Sequence, residues 1–459
     1  MGRLFGTDGI RGEANRYPMD ADTAFRLGQA VTHYIRQDRA PGHQVRVIIG
    51  KDTRISGYML EGALMSGVTS MGGHVEMVGV LPTPGIAYIT ESMRADAGFV
   101  ISASHNPYQD NGLKVFAGTG YKLSDEAEAA VEDLMLNADL ASMAAAPHRI
   151  GSAHDLTDAM GRYIVFLKNT FPRNLSMEGF KVVLDTGNGA THRVAPAIFD
   201  ELGADVTVIH DTPDGFNIND NCGSQHTGDL RAKVVEVGAQ AGLAFDGDGD
   251  RLIAVDELGN EITGDQILVI CANQLHAEGK LSGDLLVSTV MSNLGLTLAC
   301  KRYGYQHHAS QVGDRHVLED MLRLGATLGG EDSGHVIFLN HHTTGDGELT
   351  ALQLVATMLK TGRPLSELAK QMDVFPQKLV NVEVSSKPDL TSVRPIVDVI
   401  HRAETELADE GRVLVRYSGT QNLCRVMVEG PTAEITGQWA HRIADVVRTS
   451  IGRGPVAVG

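Results

Sequence analysis

The chain has few cysteines, and none of them is paired in the sequence. Cys222, Cys271, Cys300 and Cys424 are the only four among 459 residues, and no CxxC spacing occurs. This scatter argues against a zinc site and against a disulfide scaffold. We therefore expect reduced and mostly buried thiols, as in a cytoplasmic protein.

Aromatic residues, basic residues and long apolar runs are also scarce. Only 5% of the residues are aromatic, and 39 basic against 57 acidic side chains leave a formal net charge of −18. This balance argues against general affinity for nucleic acid or for an anionic membrane. No run of about 18 apolar residues occurs and the start of the chain is not apolar, so neither a transmembrane helix nor a secretory signal is expected.

Glycine is abundant, and a β-loop-helix-β pattern occurs three times. The 52 glycines suit an α/β protein with tight turns between strands and helices. The pattern covers residues 45–78, 181–209 and 284–309, each with an apolar strand and a glycine where the helix ends. Three copies predict three similar α/β domains with mixed sheets. From Val374 onward, a hairpin and a closing helix predict a smaller C-terminal α+β domain.

These patterns predict four domains, each of which carries one loop with reactive or ligand-binding side chains. Domain I is expected at residues 1–150, domain II at 151–257, domain III at 258–372 and domain IV at 373–459. The length alone predicts about three domains, because a domain has roughly 150 residues.

The loop that reads ISASHNP over residues 101–107 contains a candidate nucleophile. An apolar run precedes it, so Ser104 lies just past a predicted strand end, where α/β sheets bind ligands. A serine hydroxyl is a weak nucleophile without help, and His105, Lys114 and a nearby metal are the candidates for that help. An ordinary loop serine that caps a turn is the alternative.

The segment DGDGDR at residues 246–251 is typical of a site for a divalent cation. Asp246, Asp248 and Asp250 alternate with glycines that let the loop curl, and hard oxygen ligands favour Mg²⁺ or Ca²⁺. Three such carboxylates cannot be buried without a compensating cation. The alternatives are a solvated acidic turn, an aspartyl-phosphate nucleophile at Asp246, and an EF-hand with Arg251 at the position that needs glycine.

Two further loops combine groups that bind phosphate and sugar. A tight turn near the C-terminus carries two guanidiniums, two hydroxyls and backbone N–H groups, which suit a phosphate dianion. Its candidate residues are Arg416, Ser418, Gly419, Thr420 and Arg425. A surface hairpin with incidental arginines is the alternative. A glycine-flanked loop holds Glu331, Ser333 and His335, which can bracket sugar hydroxyls or an amine.

The N-terminal segment and two histidine pairs complete the candidates. FGTDGIRG at residues 5–12 holds Arg11 among glycines, which indicates an active-site contact. The pairs His307-His308 and His341-His342 invite a metal interpretation. Loop histidines are usually solvated, and we expect these to be solvated too.

Taken together and in this order, these segments resemble the α-D-phosphohexomutase family, with the finer match to its bacterial phosphoglucosamine mutase branch. The resemblance covers essentially the whole chain and includes GFNIN at residues 215–219, CGS at 222–224 and VGDR at 312–315. It implies four domains around a central cleft. It also implies an intramolecular phosphotransferase that interconverts glucosamine 6-phosphate and glucosamine 1-phosphate through a 1,6-bisphosphate and supplies UDP-N-acetylglucosamine synthesis.

The resemblance gives each candidate a role. Ser104 would be the phosphoserine, and it would share one Mg²⁺ with Asp246, Asp248 and Asp250. Lys114 would be the general acid or base, with His105, Arg11 and Arg251 near it. The sugar would be bound by Glu331, Ser333 and His335. The non-reacting phosphate would be bound by Arg416, Ser418, Gly419, Thr420 and Arg425.

Two departures from the family pattern leave alternatives open. The phosphate loop usually continues with Glu-Pro, whereas this chain has Gln421-Asn422, so one acidic and one rigid residue are lost. Asp332 stands where phosphoglucosamine mutases often carry Gln. A phosphoglucomutase or phosphomannomutase and a non-catalytic sugar-phosphate binding protein are therefore the alternatives. The expected partner is a phosphorylated amino sugar, and a homodimer is compatible with the sequence.

Overall fold

The computed structural model describes residues 4–6, 8–37, 39–40, 42–418 and 422–452. The described chain divides into two compact units. The first runs to Met291 and includes Tyr305–Gln371, and the second consists of Ser292–Gly304 and the chain from Met372 onward. None of the described helices is long and apolar enough to cross a membrane.

Helices and strands alternate along most of the chain. The helices are α1 Ala21–Gln37, α2 Gly57–Ser70, α3 Thr83–Ser92, α4 Asp125–Asn137, α5 Ala159–Thr170, α6 Val194–Glu201, α7 Gly228–Val237, α8 Gly264–Ala277, α9 Leu294–Tyr303, α10 Asp314–Leu324, α11 Gly347–Thr361, α12 Leu365–Ala369, α13 Arg394–Leu407 and α14 Ala433–Ile451. The strands are β1 Ile10–Glu13, β2 Arg46–Lys51, β3 His74–Val80, β4 Ala97–Ile101, β5 Asp110–Ala117, β6 Ala153–Asp155, β7 Lys181–Asp185, β8 Asp205–Ile209, β9 Ala241–Phe245, β10 Leu252–Asp256, β11 Glu261–Ile262, β12 Leu285–Thr289, β13 Gln306–Ser310, β14 Leu328–Gly330, β15 Val336–Phe338, β16 Gln377–Glu383, β17 Arg412–Tyr417 and β18 Leu423–Glu429.

The first unit contains three mixed sheets, as the sequence predicted. Their strand orders are β1-β5-β4-β2-β3-β6, β11-β10-β9-β7-β8 and β13-β12-β14-β15. In each sheet a parallel core is extended by an antiparallel neighbour: β5 beside β4, β10 beside β9 and β15 beside β14. The core strands β4 and β9 are buried at all five positions, which explains their continuous apolar sequences.

The antiparallel neighbours determine where the candidate loops lie. The serine loop connects β4 to β5, the acidic loop connects β9 to β10, and the Glu331 loop connects β14 to β15. Each loop therefore leaves the carboxyl end of a core strand and returns along its antiparallel neighbour. The three-fold repetition predicted from the sequence thus places one candidate loop at the equivalent position of each sheet.

The second unit is a small α+β structure, which agrees with the prediction for the C-terminal region. Its antiparallel sheet has the order β16-β18-β17. Val426 and Val428 of β18 share one core with Ile396 of α13 and with Trp439 and Ile443 of α14. Residues 292–304 belong to this unit by their contacts. The four domain boundaries inferred from the sequence stay a prediction.

One histidine expected to be solvated is buried. His342 is only 5% exposed, its Nε2 lies 2.8 Å from the carbonyl oxygen of Pro84, and its Nδ1 accepts from the N–H of Thr343 at 2.7 Å. Burial lowers the pKa of His342 to about 4. The expectation was wrong here because the loop after β15 folds back against the first turn of α3. Its neighbour His341 is exposed, as expected.

Replacing His342 with Gln should reduce the pH dependence of stability. The folded-state pKa of about 4 lies below the ordinary value of 6.5, so the unfolded chain takes up the proton first as the pH falls. The free energy of unfolding should therefore fall between pH 6.5 and 4, by about 3 kcal/mol from this residue. Urea unfolding at several pH values measures this slope, with the exposed His441→Gln as the control. An equal slope in wild type and His342→Gln would contradict the prediction.

Candidate active site

Ser104 is held in a strained conformation against the acidic loop. Its φ is +52°, a left-handed value that non-glycine residues rarely adopt. The side chain is buried, and its Oγ donates a hydrogen bond of 2.5 Å to Oδ2 of Asp246. A Cβ on Gly247 would lie 2.7 Å from the carbonyl oxygen of Ser104, so only glycine permits this close approach. The serine and acidic loops therefore interlock through backbone as well as side chain.

Two side chains from other loops hold the backbone on both sides of His105. The carbonyl oxygen of Ser104 accepts from Nη2 of Arg54 at 3.1 Å and from Nδ2 of Asn219 at 2.9 Å. The carbonyl oxygen of Asn106 accepts from the same two donors. Each donor therefore bridges both carbonyls, and together they fix the direction in which the Ser104 side chain leaves the backbone.

The guanidinium of Arg54, which bridges the two carbonyls, is neutralised by a buried carboxylate. Arg54 is fully buried and forms an ion pair with Asp52. Asp52 also accepts from Oγ of Ser102 at 2.5 Å, and that Oγ accepts from the N–H of Ser104 at 2.9 Å. Sequence reasoning gave no role to Arg54, Asp52 or Asn219. Asp52 and Arg54 follow β2 closely, which is also typical of exposed loops, and Asn219 was noted only as part of the GFNIN segment of the resemblance.

The three aspartates of the acidic loop are buried and converge. Asp246, Asp248 and Asp250 are 0%, 1% and 5% exposed, and one oxygen of each lies within 4.8 Å of the others. Oδ1 of Asp248 and Oδ1 of Asp250 have no hydrogen-bond partner among the described residues. The alternative of a solvated acidic turn is thereby excluded, and strands on both sides of the loop exclude an EF-hand. The donor set suits a hard divalent cation.

The charge balance of the triad also favours a cation. Burial raises the pKa of Asp246 well above its usual range, and the like charges of Asp250 and Asp248 raise it further. Burial acts in the same direction on Asp250, but Lys114, His335 and Arg251 outweigh it and hold that pKa below its ordinary value. Asp246 therefore lacks neighbouring positive charge strong enough to keep its carboxyl ionised, whereas Asp250 has it.

Lys114 is an ammonium surrounded by carboxylates. It lies on β5, is 1% exposed, and its Nζ lies 3.0 Å from Asp248, 3.1 Å from Asp8 and 3.8 Å from Asp250. Burial lowers the pKa of Lys114, but these carboxylates raise it above its ordinary value. Asp8 also pairs with Arg11, which connects the N-terminal segment to the acidic loop. Thr7 of that segment lies outside the described residues.

His105 is neutral and accepts a hydrogen bond. Burial, followed by the charges of Arg251 and Arg11, lowers its pKa to about 4. Nη1 of Arg251 lies 3.0 Å from Nδ1 of His105, and Oγ of Ser104 lies 3.4 Å from the same nitrogen. Because a guanidinium only donates, Nδ1 is the acceptor and the ring proton is on Nε2.

The third loop places a histidine beside the acidic triad. Nδ1 of His335 lies 3.5 Å from Asp250, and Nε2 lies 3.8 Å from Asp314. Burial lowers the pKa of His335, but Asp250, Asp314 and Glu331 raise it above its ordinary value. Glu331 accepts from the N–H of Gly313 at 3.0 Å. Oγ of Ser333 is buried and has no hydrogen-bond partner among the described residues.

A cavity of about 400 Å³ brings groups from three loops together. Its lining includes Arg11 from the N-terminal segment, Asp250 and Arg251 from the acidic loop, and Glu331 and His335 from the third loop. Cations, carboxylates and an imidazole thus face one space large enough for a sugar phosphate. The sequence had proposed these residues separately, and the fold gathers them.

The fourth loop lies in the second unit. Arg416 and Arg425 are paired across β17 and β18. Burial and then the charge of Arg425 lower the pKa of Arg416. No acidic side chain forms an ion pair with either arginine in the described part of the chain. The carbonyl oxygen of Ser418 accepts from Nζ of Lys387 at 2.7 Å. Gly419, Thr420 and Gln421 lie outside the described residues, so two adjacent guanidiniums remain as the observed basis for anion binding.

Sequence profiles of one family match nearly the whole chain. Phosphoglucomutase/phosphomannomutase α/β/α domain I matches residues 2–142, domain II matches 161–259, and domain III matches 263–375. The C-terminal domain of the same family matches residues 379–446.

Curated relatives are similar over their full length. The phosphoglucosamine mutase of Syntrophobacter fumaroxidans is 68% identical over 452 residues, which cover 98% of this chain and 100% of that protein. The phosphoglucosamine mutase of Syntrophus aciditrophicus is 59% identical with the same coverage of both chains.

Solved structures show the same fold at low identity. A phosphoglucomutase/phosphomannomutase family protein of Burkholderia thailandensis has a TM-score of 0.79 at 22% identity, covering 98% of this chain and 97% of that chain. The N-acetylphosphoglucosamine mutase of Aspergillus fumigatus, solved with GlcNAc-6P and magnesium, has a TM-score of 0.66 at 16% identity, covering 97% and 96%.

Replacing Asn219 with Ala should destabilise the serine loop. The carbonyls of Ser104 and Asn106 would each lose one of their two donors, at a cost of about 1–3 kcal/mol in total, since one hydrogen bond contributes about 0.5–1.5 kcal/mol. Asn221→Ala is a matched control, because both residues have left-handed φ values, +57° and +53°, and Asn221 donates only to its neighbour Asp220. Chemical denaturation should give a larger loss of unfolding free energy for Asn219→Ala. Equal losses in the two variants would mean that the bridge to Ser104 adds nothing.

Proposed function

The chain belongs to the phosphoglucomutase/phosphomannomutase family and groups there with the phosphoglucosamine mutases, and from that premise we propose that it interconverts glucosamine 6-phosphate and glucosamine 1-phosphate. The observation that carries the chemistry is the 2.5 Å hydrogen bond from Oγ of Ser104 to Asp246 in a buried triad of carboxylates. A serine held at a cation site is suited to carry a phosphoryl group. Relatives named phosphoglucosamine mutase at 68% and 59% identity support the choice of sugar.

In the proposed reaction, Ser104 carries the phosphoryl group between the two positions of the sugar. The bond from phosphorus to Oγ of phosphorylated Ser104 breaks while a bond to O1 of glucosamine 6-phosphate forms. A base takes the O1 proton, Oγ of Ser104 takes up a proton as it leaves, and the product is glucosamine 1,6-bisphosphate. After the sugar reverses its orientation, the bond from phosphorus to O6 breaks while a bond to Oγ of Ser104 forms, the Oγ proton leaves to the base, O6 takes up a proton, and glucosamine 1-phosphate departs.

The acidic triad would bind the cation of this reaction. Asp246, Asp248 and Asp250, together with an oxygen of phosphorylated Ser104, offer the hard oxygen ligands that Mg²⁺ prefers. When bound there, Mg²⁺ would neutralise charge on the transferring phosphoryl group. The two aspartate oxygens without a partner and the raised pKa of Asp246 support this assignment. The magnesium in the Aspergillus fumigatus structure supports it as well.

Four basic side chains would serve the transfer. We assign Lys114 to proton transfer at the sugar oxygen, because its ammonium lies at the edge of the triad. Its pKa must fall for this role, and a cation shared by the same carboxylates would weaken the attraction that raises it. Arg11 and Arg251 would stabilise phosphoryl oxygens from the cavity wall. Neutral His105 would orient Arg251 beside Ser104.

The remaining loops would bind the sugar and its second phosphate. Glu331, Ser333 and His335 would contact the sugar hydroxyls and the amine, and the buried hydroxyl of Ser333 has an open hydrogen-bonding capacity for this. A negatively charged Glu331 also suits a protonated amine better than a hydroxyl. The non-reacting phosphate would be bound by Arg416, Ser418, Gly419, Thr420 and Arg425.

A phosphoglucomutase or phosphomannomutase is the second candidate, because the matching profiles carry those names. We expect kcat/KM to be highest for glucosamine phosphate, since Glu331 would pair with its amine. Glu331→Gln should reduce kcat/KM for glucosamine phosphate more than for glucose or mannose phosphate. A coupled assay with each 6-phosphate tests this. Preference for a neutral sugar in the wild type would favour the second candidate.

Replacing Ser104 with Ala should abolish turnover and leave sugar-phosphate binding nearly unchanged. The phosphoryl carrier would be absent, whereas the cavity groups would remain. Turnover and isothermal titration with glucosamine 6-phosphate measure the two effects, with the exposed Ser92→Ala as the control. Peptide mass analysis after incubation with the 1,6-bisphosphate should locate phosphate on Ser104 of the wild type. Retained turnover in Ser104→Ala would refute the phosphoserine mechanism.

A further inference from the structure

Three donor side chains of different type converge away from the acidic triad. Asp185 is the last residue of β7, His210 directly follows β8, and Cys222 lies in the loop that leads towards α7. A carboxylate oxygen, a ring nitrogen and the sulfur of these residues lie within 4.8 Å of one another. β7 and β8 are parallel neighbours, so the cluster lies where the carboxyl ends of two strands meet.

The histidine of this cluster is oriented as a metal ligand would be. Nδ1 of His210 is buried and faces Oδ1 of Asp185 at 3.1 Å, and pairing with Asp185 and then Asp229 raises the pKa of His210 above its ordinary value. Nε2 of the same ring lies 3.3 Å from a carboxylate oxygen of Asp229. In zinc proteins the ligating histidine typically donates its other ring N–H to a carboxylate. A cation bound between Nδ1 of His210 and Asp185 would take the place of the proton in that pair, and Nε2 is placed to donate to Asp229.

The aspartate of the cluster is held rigidly. Oδ1 of Asp185 accepts from the N–H of Gly187 at 2.9 Å, and Oδ2 accepts from the N–H of Gly223 at 3.0 Å. His210 adopts a left-handed φ of +51°, which is rare for a residue with a side chain. Backbone strain of this kind persists only where the surrounding structure enforces it. The donors are thus preorganised rather than loosely gathered.

The sulfur of the cluster is enclosed by polar neighbours. Cys222 is fully buried, its sulfur lies within 4.8 Å of the donor atoms of Asp185 and His210, and Nδ2 of Asn188 lies 3.8 Å from the same sulfur. Because the metal ligand is the thiolate, binding of a divalent cation here would release the thiol proton. The side chain of His210 is 24% exposed, which gives a cation access from solvent.

We propose that Asp185, His210 and Cys222 bind a Zn²⁺ ion, separately from the acidic triad. A thiolate, an imidazole and a carboxylate are the ligand types that zinc uses, whereas Mg²⁺ avoids sulfur. Three protein ligands leave a fourth tetrahedral position for water. The ion would tie the ends of β7 and β8 to the loop that contains Asn219, whose side chain holds the backbone of Ser104. The site would therefore restrain the serine loop from a distance.

Cobalt substitution tests the proposal without measuring turnover. The full-length protein is stripped of metal, supplied with excess Mg²⁺ to occupy the acidic triad, and titrated with Co²⁺. Coordination by Cys222 should produce a sulfur-to-cobalt charge-transfer band in the near ultraviolet at one equivalent. Zn²⁺ should abolish the band by displacement, and its competition curve gives the affinity for Zn²⁺.

Variants separate this site from other metal binding. Cys222→Ser should remove the band, and His210→Ala should weaken Zn²⁺ binding by about 100-fold or more. Asp229→Ala should weaken it by about 10–100-fold, because it removes only the partner of Nε2. Cys271→Ala is the matched control, since Cys271 is also buried and belongs to no donor cluster in the described part of the chain. It should leave the band and affinity unchanged.

A second readout covers variants that fold poorly. Zn²⁺ should raise the Tm of the wild type in the presence of Mg²⁺, because a ligand that binds only the folded state stabilises it. The shift should be absent in Cys222→Ser and present in Cys271→Ala. The proposal is overturned if the folded wild type gives no band and no shift, if the band persists in Cys222→Ser, or if Zn²⁺ binds only at the acidic triad.

Discussion

The burial of three carboxylates in one short loop is the constraint on which the rest of the site depends. Asp246, Asp248 and Asp250 have almost no solvent contact, so neighbouring groups must balance their charge. Lys114 supplies one cation and Arg251 supplies another, and the hydroxyl of Ser104 donates to Asp246. These partners still leave aspartate oxygens without hydrogen bonds among the described residues, so the donor set of the loop suits a divalent ion. The serine hydroxyl, the neighbouring cations and the three carboxylates therefore form one electrostatic unit.

The same type of strand connection places these groups at one edge of each sheet. In every sheet of the first unit, a core strand is followed by an antiparallel neighbour, and the loop between them carries the chemistry. In the second unit, β17 and β18 are likewise antiparallel neighbours, and they carry Arg416 and Arg425 of the fourth loop. At Ser104, where the backbone is strained, Arg54 and Asn219 hold the loop through its carbonyl oxygens.

Sequence patterns predicted much of this arrangement because the chemistry is concentrated in short segments. Each of these patterns can be recognised within about ten residues: alternating Asp and Gly, a serine after an apolar run, and arginines on both sides of a turn. What the sequence did not reveal depends on contacts between distant residues. Arg54 resembles any charged loop residue until its guanidinium is seen bridging two carbonyls more than forty positions away. His342 was expected in solvent, and it is buried because a distant helix packs against its loop.

The sequence by itself determined the fold class, the order of the four loops and the residue types that each loop offers, because periodicity and local motifs encode these properties. Only the tertiary structure decided which groups share a site and in what charge state. The spacing of the four cysteines gave no sign of a metal site, since Asp185, His210 and Cys222 are separated by 25 and 12 positions and meet only when β7 pairs with β8. Likewise, the raised pKa of Asp246 and the lowered pKa of His105 come from burial and neighbouring charges that exist only in the folded chain.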